Sequence, residues 1–114
     1  MCSKNTLQII LDDITNKMIE LFNEKLCRVV LFGSYARGDY SDESDIDVFV
    51  MVDMEAADLA AYRDTVSDIL FEINLEYDVM LSIKLQDKET FDKWENTLPF
   101  FINVKREGVP VYAA

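Results

Sequence analysis

The chain has 114 residues, half of them hydrophobic, with 22 acidic against 11 basic side chains, a net charge of −11 and no histidine. That is enough apolar material for one domain with a core. It offers no basic surface for nucleic acid, and it removes the usual zinc sites, Ser-His-Asp catalysis and any imidazole base. Chemistry must therefore run on carboxylates, hydroxyls, Arg, Lys and bound metal. No stretch approaches the roughly 18 apolar residues of a membrane span. The opening M-C-S-K-N lacks the apolar region of a signal peptide. Cys2 and Cys27 have neither a C-x-x-C spacing nor a disulfide framework. A reduced, cytoplasmic protein is expected.

In chain order, residues 5–24 place Leu7, Ile10, Leu11, Ile14, Met18, Leu21 and Phe22 on one helical face. Leu26 to Phe32 is a continuous apolar run broken only by Arg28, as in a strand buried on both faces. A glycine turn and a polar connection lead to a second strand, Ile46 to Val52. Ala56 to Asn74 returns to helical spacing. Tyr77 to Leu85 alternates, with Val79, Leu81 and Ile83 on one face and Asp78, Met80, Ser82 and Lys84 on the other, which predicts a third strand. Lys88 to Trp94 reads as helix, Pro99 restarts the chain, and Phe100 to Glu107 adds a further turn or two. Gly108 suits the residue past a helix end. Val109 to Tyr112 suits an edge strand, where Pro110 is tolerated. The sum is an α/β fold, a small mixed sheet with helices packed on it, in one domain spanning 1–114. The apolar tail (Trp94, Leu98, Phe100, Phe101, Ile102, Val104, Tyr112) fits either a second core layer or a docking surface.

Two of the three glycines, Gly33 and Gly38, fall in the turn after the first strand. Five carboxylates follow between positions 39 and 47, and alternation puts Asp45 and Asp47 on one face, roughly 6–7 Å apart. A metal-binding geometry thus adjoins a phosphate-binding one. A P-loop is excluded, because Asp39 and Tyr40 stand where Lys and Ser/Thr should follow Gly38. An EF-hand is excluded by spacing and by the lack of any glycine between Gly38 and Gly108. A solvated acidic loop accounts for Asp39, Asp42 and Glu43, but not for Asp45 and Asp47 at the mouth of an apolar strand.

G-S-Y-A-R-G (33–38) followed, ten residues after Ser34, by D-I-D (45–47) resembles the G-S-x(10)-D-x-D signature of the polymerase-beta nucleotidyltransferase superfamily. The wording A-R-G-D…S-D-I-D and the ending E-G-V-P-V-Y are most similar to its minimal nucleotidyltransferases, many of them antitoxins paired with HEPN-domain toxins. The resemblance implies a polymerase-beta-like fold and transfer of AMP from ATP to a hydroxyl, with pyrophosphate leaving. It implies Asp45, Asp47 and a third carboxylate, Asp78, as catalytic and metal-holding residues for two Mg²⁺ ions. Asp78 could also serve as general base, with Glu76 as the alternative if the strand register slips. Gly33 lets triphosphate oxygens approach the backbone. Ser34 opens a short helix facing the β/γ-phosphates, or simply caps it. Arg37 offsets triphosphate charge or forms a surface ion pair with Asp39 or Asp42. Ser44 either caps locally or touches the γ-phosphate.

Larger relatives carry extra domains to hold the acceptor, and no such segment follows here. The acceptor is therefore expected on a separate protein or a second subunit, with a tyrosine of a HEPN-type toxin as the expected target. No nucleic acid or membrane partner is expected. A binding antitoxin that inhibits by occlusion is the competing class, and modification of a small molecule the third.

Overall fold

The computed structural model describes residues 3–41 and 44–114, so Cys2, Asp42 and Glu43 lie outside the described residues. Helix α1 (Lys4–Phe22) opens at Ser3, whose Oγ accepts the Thr6 N–H at 3.1 Å. A 3₁₀ turn (Asn23–Lys25) leads into β1 (Leu26–Phe32), then the short helix α2 (Ser34–Arg37) and β2 (Ile46–Val52). Helices α3 (Ala56–Ala60) and α4 (Arg63–Tyr77), strand β3 (Leu81–Asp87), helices α5 (Lys88–Trp94) and α6 (Pro99–Glu107), and strand β4 (Val109–Ala113) complete the order.

The sheet runs β3-β2-β1-β4, with β2 and β3 parallel and the other pairs antiparallel. Alternation splits each strand between two apolar layers. Ile46, Val48, Val50 and Val52 face Ile10, Ile14, Met18 and Ile73 from α1 and α4. Phe49, Met51 and Val30 face Phe91, Phe101 and Val104 from α5 and α6. The sheet is thus covered on both faces, and β1 is buried on both, as its apolar run predicts. The tail divides: Phe91, Phe101 and Val104 are core, while Trp94, Leu98 and Phe100 keep 40%, 41% and 36% of their surface exposed. No helix among the described residues is long and apolar enough to cross a membrane.

The largest departures from the sequence expectation lie at the two ends of α4. The helical stretch from Ala56 breaks after Ala60, because Ala61 and Tyr62 donate to Asp58 and Leu59 three residues back. The Tyr62 ring then packs on Phe22 at 5.1 Å. At its other end α4 runs to Tyr77, so β3 begins at Leu81 and not at Tyr77. One distant and one local bond fix that end: the Tyr77 hydroxyl donates to Asp13 Oδ2 at 3.0 Å, and Asn74 Oδ1 accepts the Leu81 N–H at 2.8 Å.

Gly108 closes α6 through its N–H to the Val104 carbonyl at 2.9 Å, in extended rather than left-handed conformation. Its requirement for glycine is spatial: an added Cβ would overlap the Val104 carbonyl oxygen and crowd a Val30 methyl. Gly108→Ala is expected to cost roughly 1–3 kcal/mol of stability, measurable by urea denaturation.

Candidate functional site

At the end of β1 the chain enters Gly33 at φ 77°, ψ −157°, a conformation that side chains rarely adopt. The antiparallel register sets Asp47 directly opposite Phe32, one residue before this turn. Turn and carboxylate therefore meet, and a Cβ on Gly33 would overlap Asp47 Oδ2. Ala36 and Arg37 donate their N–H groups to the Gly33 carbonyl, each at 3.1 Å, which starts α2. Gly38, in the left-handed region at φ 85°, ends it by donating to the Ser34 carbonyl at 2.9 Å. Tyr35 is buried and stacks on Tyr40 at 4.3 Å, tying the following loop down.

Asp45 is exposed just before β2 and Asp47 half-buried within it, on one face of the strand. Burial first, and the negative charge of Asp45 second, raise the Asp47 carboxyl above its usual range, with Arg37 pulling the other way. Arg37 itself is shared: Nε donates to Asp39 Oδ2 at 3.1 Å and an NH group to Glu107 Oε2 at 3.5 Å. Gly33, Ser34, Arg37, Asp47, Phe100 and Glu107 surround a cleft of about 360 Å³ between the sheet and α6. A larger hollow of about 690 Å³ lies near Asp53, at the far end of β2. Its rim carries Asp53, Glu55, Asp58 and Glu89 against Lys25, a surface that repels a phosphate.

The donor set suits a hard cation. Two carboxylates on one face, one of them destabilised as an anion by burial and its neighbour, gain by sharing a divalent ion. Among the described residues no three acidic or cysteine side chains converge to form a closed metal site. A pair of carboxylates could hold a Mg²⁺ ion, which is commonly bound by one or two carboxylates with substrate phosphates and water completing the shell.

Asp78 does not stand on β3 as expected. It stands at the C-cap of α4 in left-handed conformation (φ 53°, ψ 53°), exposed, three residues before β3. Glu76 lies within α4 and is also exposed. The β3 side chain level with Asp47 is Ser82. Ser44 is held locally, its Oγ accepting the Ser41 N–H at 2.8 Å while its own N–H donates to the Ser41 carbonyl at 3.1 Å. Glu107 and Ser82 were missed by sequence reasoning. The alternating face of β3 signals Ser82, whereas only the packing of α6 reveals Glu107.

Residues 16–112 match the family described as Polymerase beta, Nucleotidyltransferase. The chain belongs to that family. It is 33% identical over 100 residues to a Methanocaldococcus jannaschii protein that carries the name protein adenylyltransferase, covering 88% of this chain and 92% of that one. A second protein of the same organism and name is 36% identical over 73 residues, covering 64% and 72%. The fold is shared with a toxin-antitoxin crystal structure containing AMP-PNP, at 20% identity and a TM-score of 0.55, covering 91% of this chain and 73% of that one. It is also shared with the complex of a tri-AMPylated Shewanella oneidensis HEPN toxin and MNT antitoxin, at 17% identity and a TM-score of 0.50, covering 94% and 73%.

Proposed function

We propose that this chain is a cytoplasmic, Mg²⁺-dependent enzyme that transfers AMP from ATP to a tyrosyl hydroxyl of a partner protein, and that the partner is a HEPN-type toxin silenced by the modification. The observation that carries this is the contact between the Gly33 turn and the Asp47 carboxylate. It puts a glycine turn that would let a triphosphate approach the backbone beside Asp47, one carboxylate of the pair, inside one cleft. The names of the relatives support adenylyl transfer to protein, and the toxin-antitoxin neighbours support the partner.

Ser34 and Arg37 would hold the β- and γ-phosphates, with Gly33 allowing the backbone to approach them. Asp45 and Asp47 would hold Mg²⁺, which neutralises the triphosphate and lowers the pKa of the attacking hydroxyl when bound. The acceptor oxygen attacks the α-phosphorus and forms a new P–O bond. The bond from that phosphorus to the bridging oxygen breaks, pyrophosphate leaves with the electron pair, and the hydroxyl proton passes to water. No step falls to Asp78, which stands outside β3. Ser44 is assigned to its loop contact with Ser41. A net charge of −11 favours encounter with a basic partner such as an RNA-cleaving toxin.

Incubation with a HEPN-type toxin and ATP labelled at either the α- or the γ-phosphate tests the reaction type. The toxin should acquire α-label and no γ-label. Transfer of γ-label would make the protein a kinase, and neutralisation without label would make it an occluding inhibitor.

Arg37 gives a finer test. Its guanidinium lines the cleft while tied to two exposed carboxylates. Arg37→Ala is expected to lower kcat/KM for ATP by about ten- to hundred-fold. The melting temperature should scarcely change, because surface ion pairs contribute little. Steady-state pyrophosphate release measures the first and thermal denaturation the second. Unchanged kcat/KM would remove Arg37 from the site.

A further inference from the structure

Beside the cleft lies a second groove of about 460 Å³, between β3 and α6. Phe32 and Phe100 line both hollows, and their rings meet edge to face at 5.4 Å, so the two are continuous across one aromatic ridge. The floor of the groove comes from the face of β3 that Asp47 shares. The parallel register pairs Asp47 with Ser82 and Phe49 with Lys84, so Ser82 and Lys84 point to the side of the sheet that holds the cleft. Across the sheet, Ser34 and Arg37 thus stand at the end of β1, Asp47 on β2 and Ser82 on β3.

Phosphoryl-centre displacement needs attacking and leaving oxygens roughly in line. With the pyrophosphate held beside β1, the attacking oxygen must come from the β3 side. That direction is where the second groove opens. Its character also fits. Leu98 and Phe100 present apolar surface there while remaining well exposed, a suitable slot for an aromatic ring. Lys84 is exposed, pairs with no described acidic residue, and is the only cation among the groove's lining residues. It complements the negative charge that builds on a phenolic oxygen. We propose that this groove is the acceptor subsite, and that it receives the tyrosyl side chain of the partner with its ring against Leu98 and Phe100 and its hydroxyl turned toward Asp47. This rests on the adenylyl-transfer reading above, and commits it to an aromatic acceptor entering from one side.

The direct test is an NMR titration of the full chain, loaded with Mg²⁺ and the α,β-methylene analogue of ATP, using N-acetyl-tyrosinamide as probe and N-acetyl-serinamide as comparison. Shifts confined to Ser82, Lys84, Leu98 and Phe100, seen with the tyrosine amide and absent with the serine amide, are the expected result. Shifts elsewhere, none at all, or equal shifts with both amides would overturn the proposal whatever the turnover. The variant Leu98→Ala with Lys84→Gln should weaken binding of the tyrosine amide about ten-fold or more while leaving MgATP affinity unchanged. If the double variant loses MgATP affinity instead and keeps the amide, the groove holds the nucleobase and the acceptor assignment is wrong. Failure of the wild type to bind MgATP at all would instead sink the reading of the cleft itself.

Discussion

Replacing Asp47 by Asn should lower AMP transfer by on the order of 10³ or more, and Asp45→Asn should do nearly the same. Each substitution keeps the shape of the side chain and removes half of the charge on the same-face carboxylate pair at the mouth of β2. Titration of ATP with and without Mg²⁺ separates the effects. Binding should depend on Mg²⁺ in the wild type and lose that dependence in both variants. Stability should move the opposite way. Burial and Asp45 raise the Asp47 carboxyl above its usual value of 3.8. A carboxyl raised by folding contributes stability that is fully present below that value and lost as pH climbs through the higher, folded one. Without metal, Asp47→Asn should therefore melt above wild type at pH 7, and the difference should vanish below about pH 4. Adding Mg²⁺ should raise the wild-type melting temperature more than that of the variant. A wild type more stable than Asp47→Asn at pH 7 without metal would show the carboxylate to be structurally partnered and not poised for a cation.

Gly33→Ala carries the second large effect. The methyl group must occupy space taken by the Asp47 carboxylate, at φ 77° and ψ −157°, a region essentially confined to glycine where alanine costs roughly 1–3 kcal/mol. Either the turn opens or Asp47 swings away, and a displacement near 1 Å at a reacting centre is worth about 10²-fold in rate. Activity should therefore fall by about that factor or more with a modest loss of stability. Gly38→Ala is the control. It shares the positive φ, yet a Cβ there meets nothing within 4 Å, so it should cost stability and little activity. Equal activity losses at the two glycines would mean that backbone strain, and not the contact with Asp47, explains the first.

What was legible in the sequence is what local chemistry decides. Two glycines in a turn and two aspartates at strand spacing specify Gly33 and Asp47 separately, and one antiparallel pairing of adjacent strands brings them together. The alternation of β2 also foretells which apolar residues go to which layer. Asp78 was misplaced because Val79, Leu81 and Ile83 alternate as a strand does. The boundary is set instead by Tyr77 reaching Asp13, 64 positions away, and by the Asn74 amide capping Leu81. No short window of sequence contains Tyr77 and Asp13 together. The cleft wall has the same character. Glu107 meets Arg37 from α6, 70 positions on, and the division of the tail into buried Phe101 and exposed Leu98 depends on how that helix is turned.

The most direct measurement is the intact mass of a HEPN-type toxin after incubation with this protein, ATP and Mg²⁺, run in parallel with Asp47→Asn. The wild type should add one AMP mass or a small multiple, at tyrosine, and restore growth in cells expressing the toxin. Asp47→Asn should add none, even where a physical complex persists. Equal neutralisation by both proteins with no added mass would contradict enzymatic silencing and leave an inhibitor that works by occlusion.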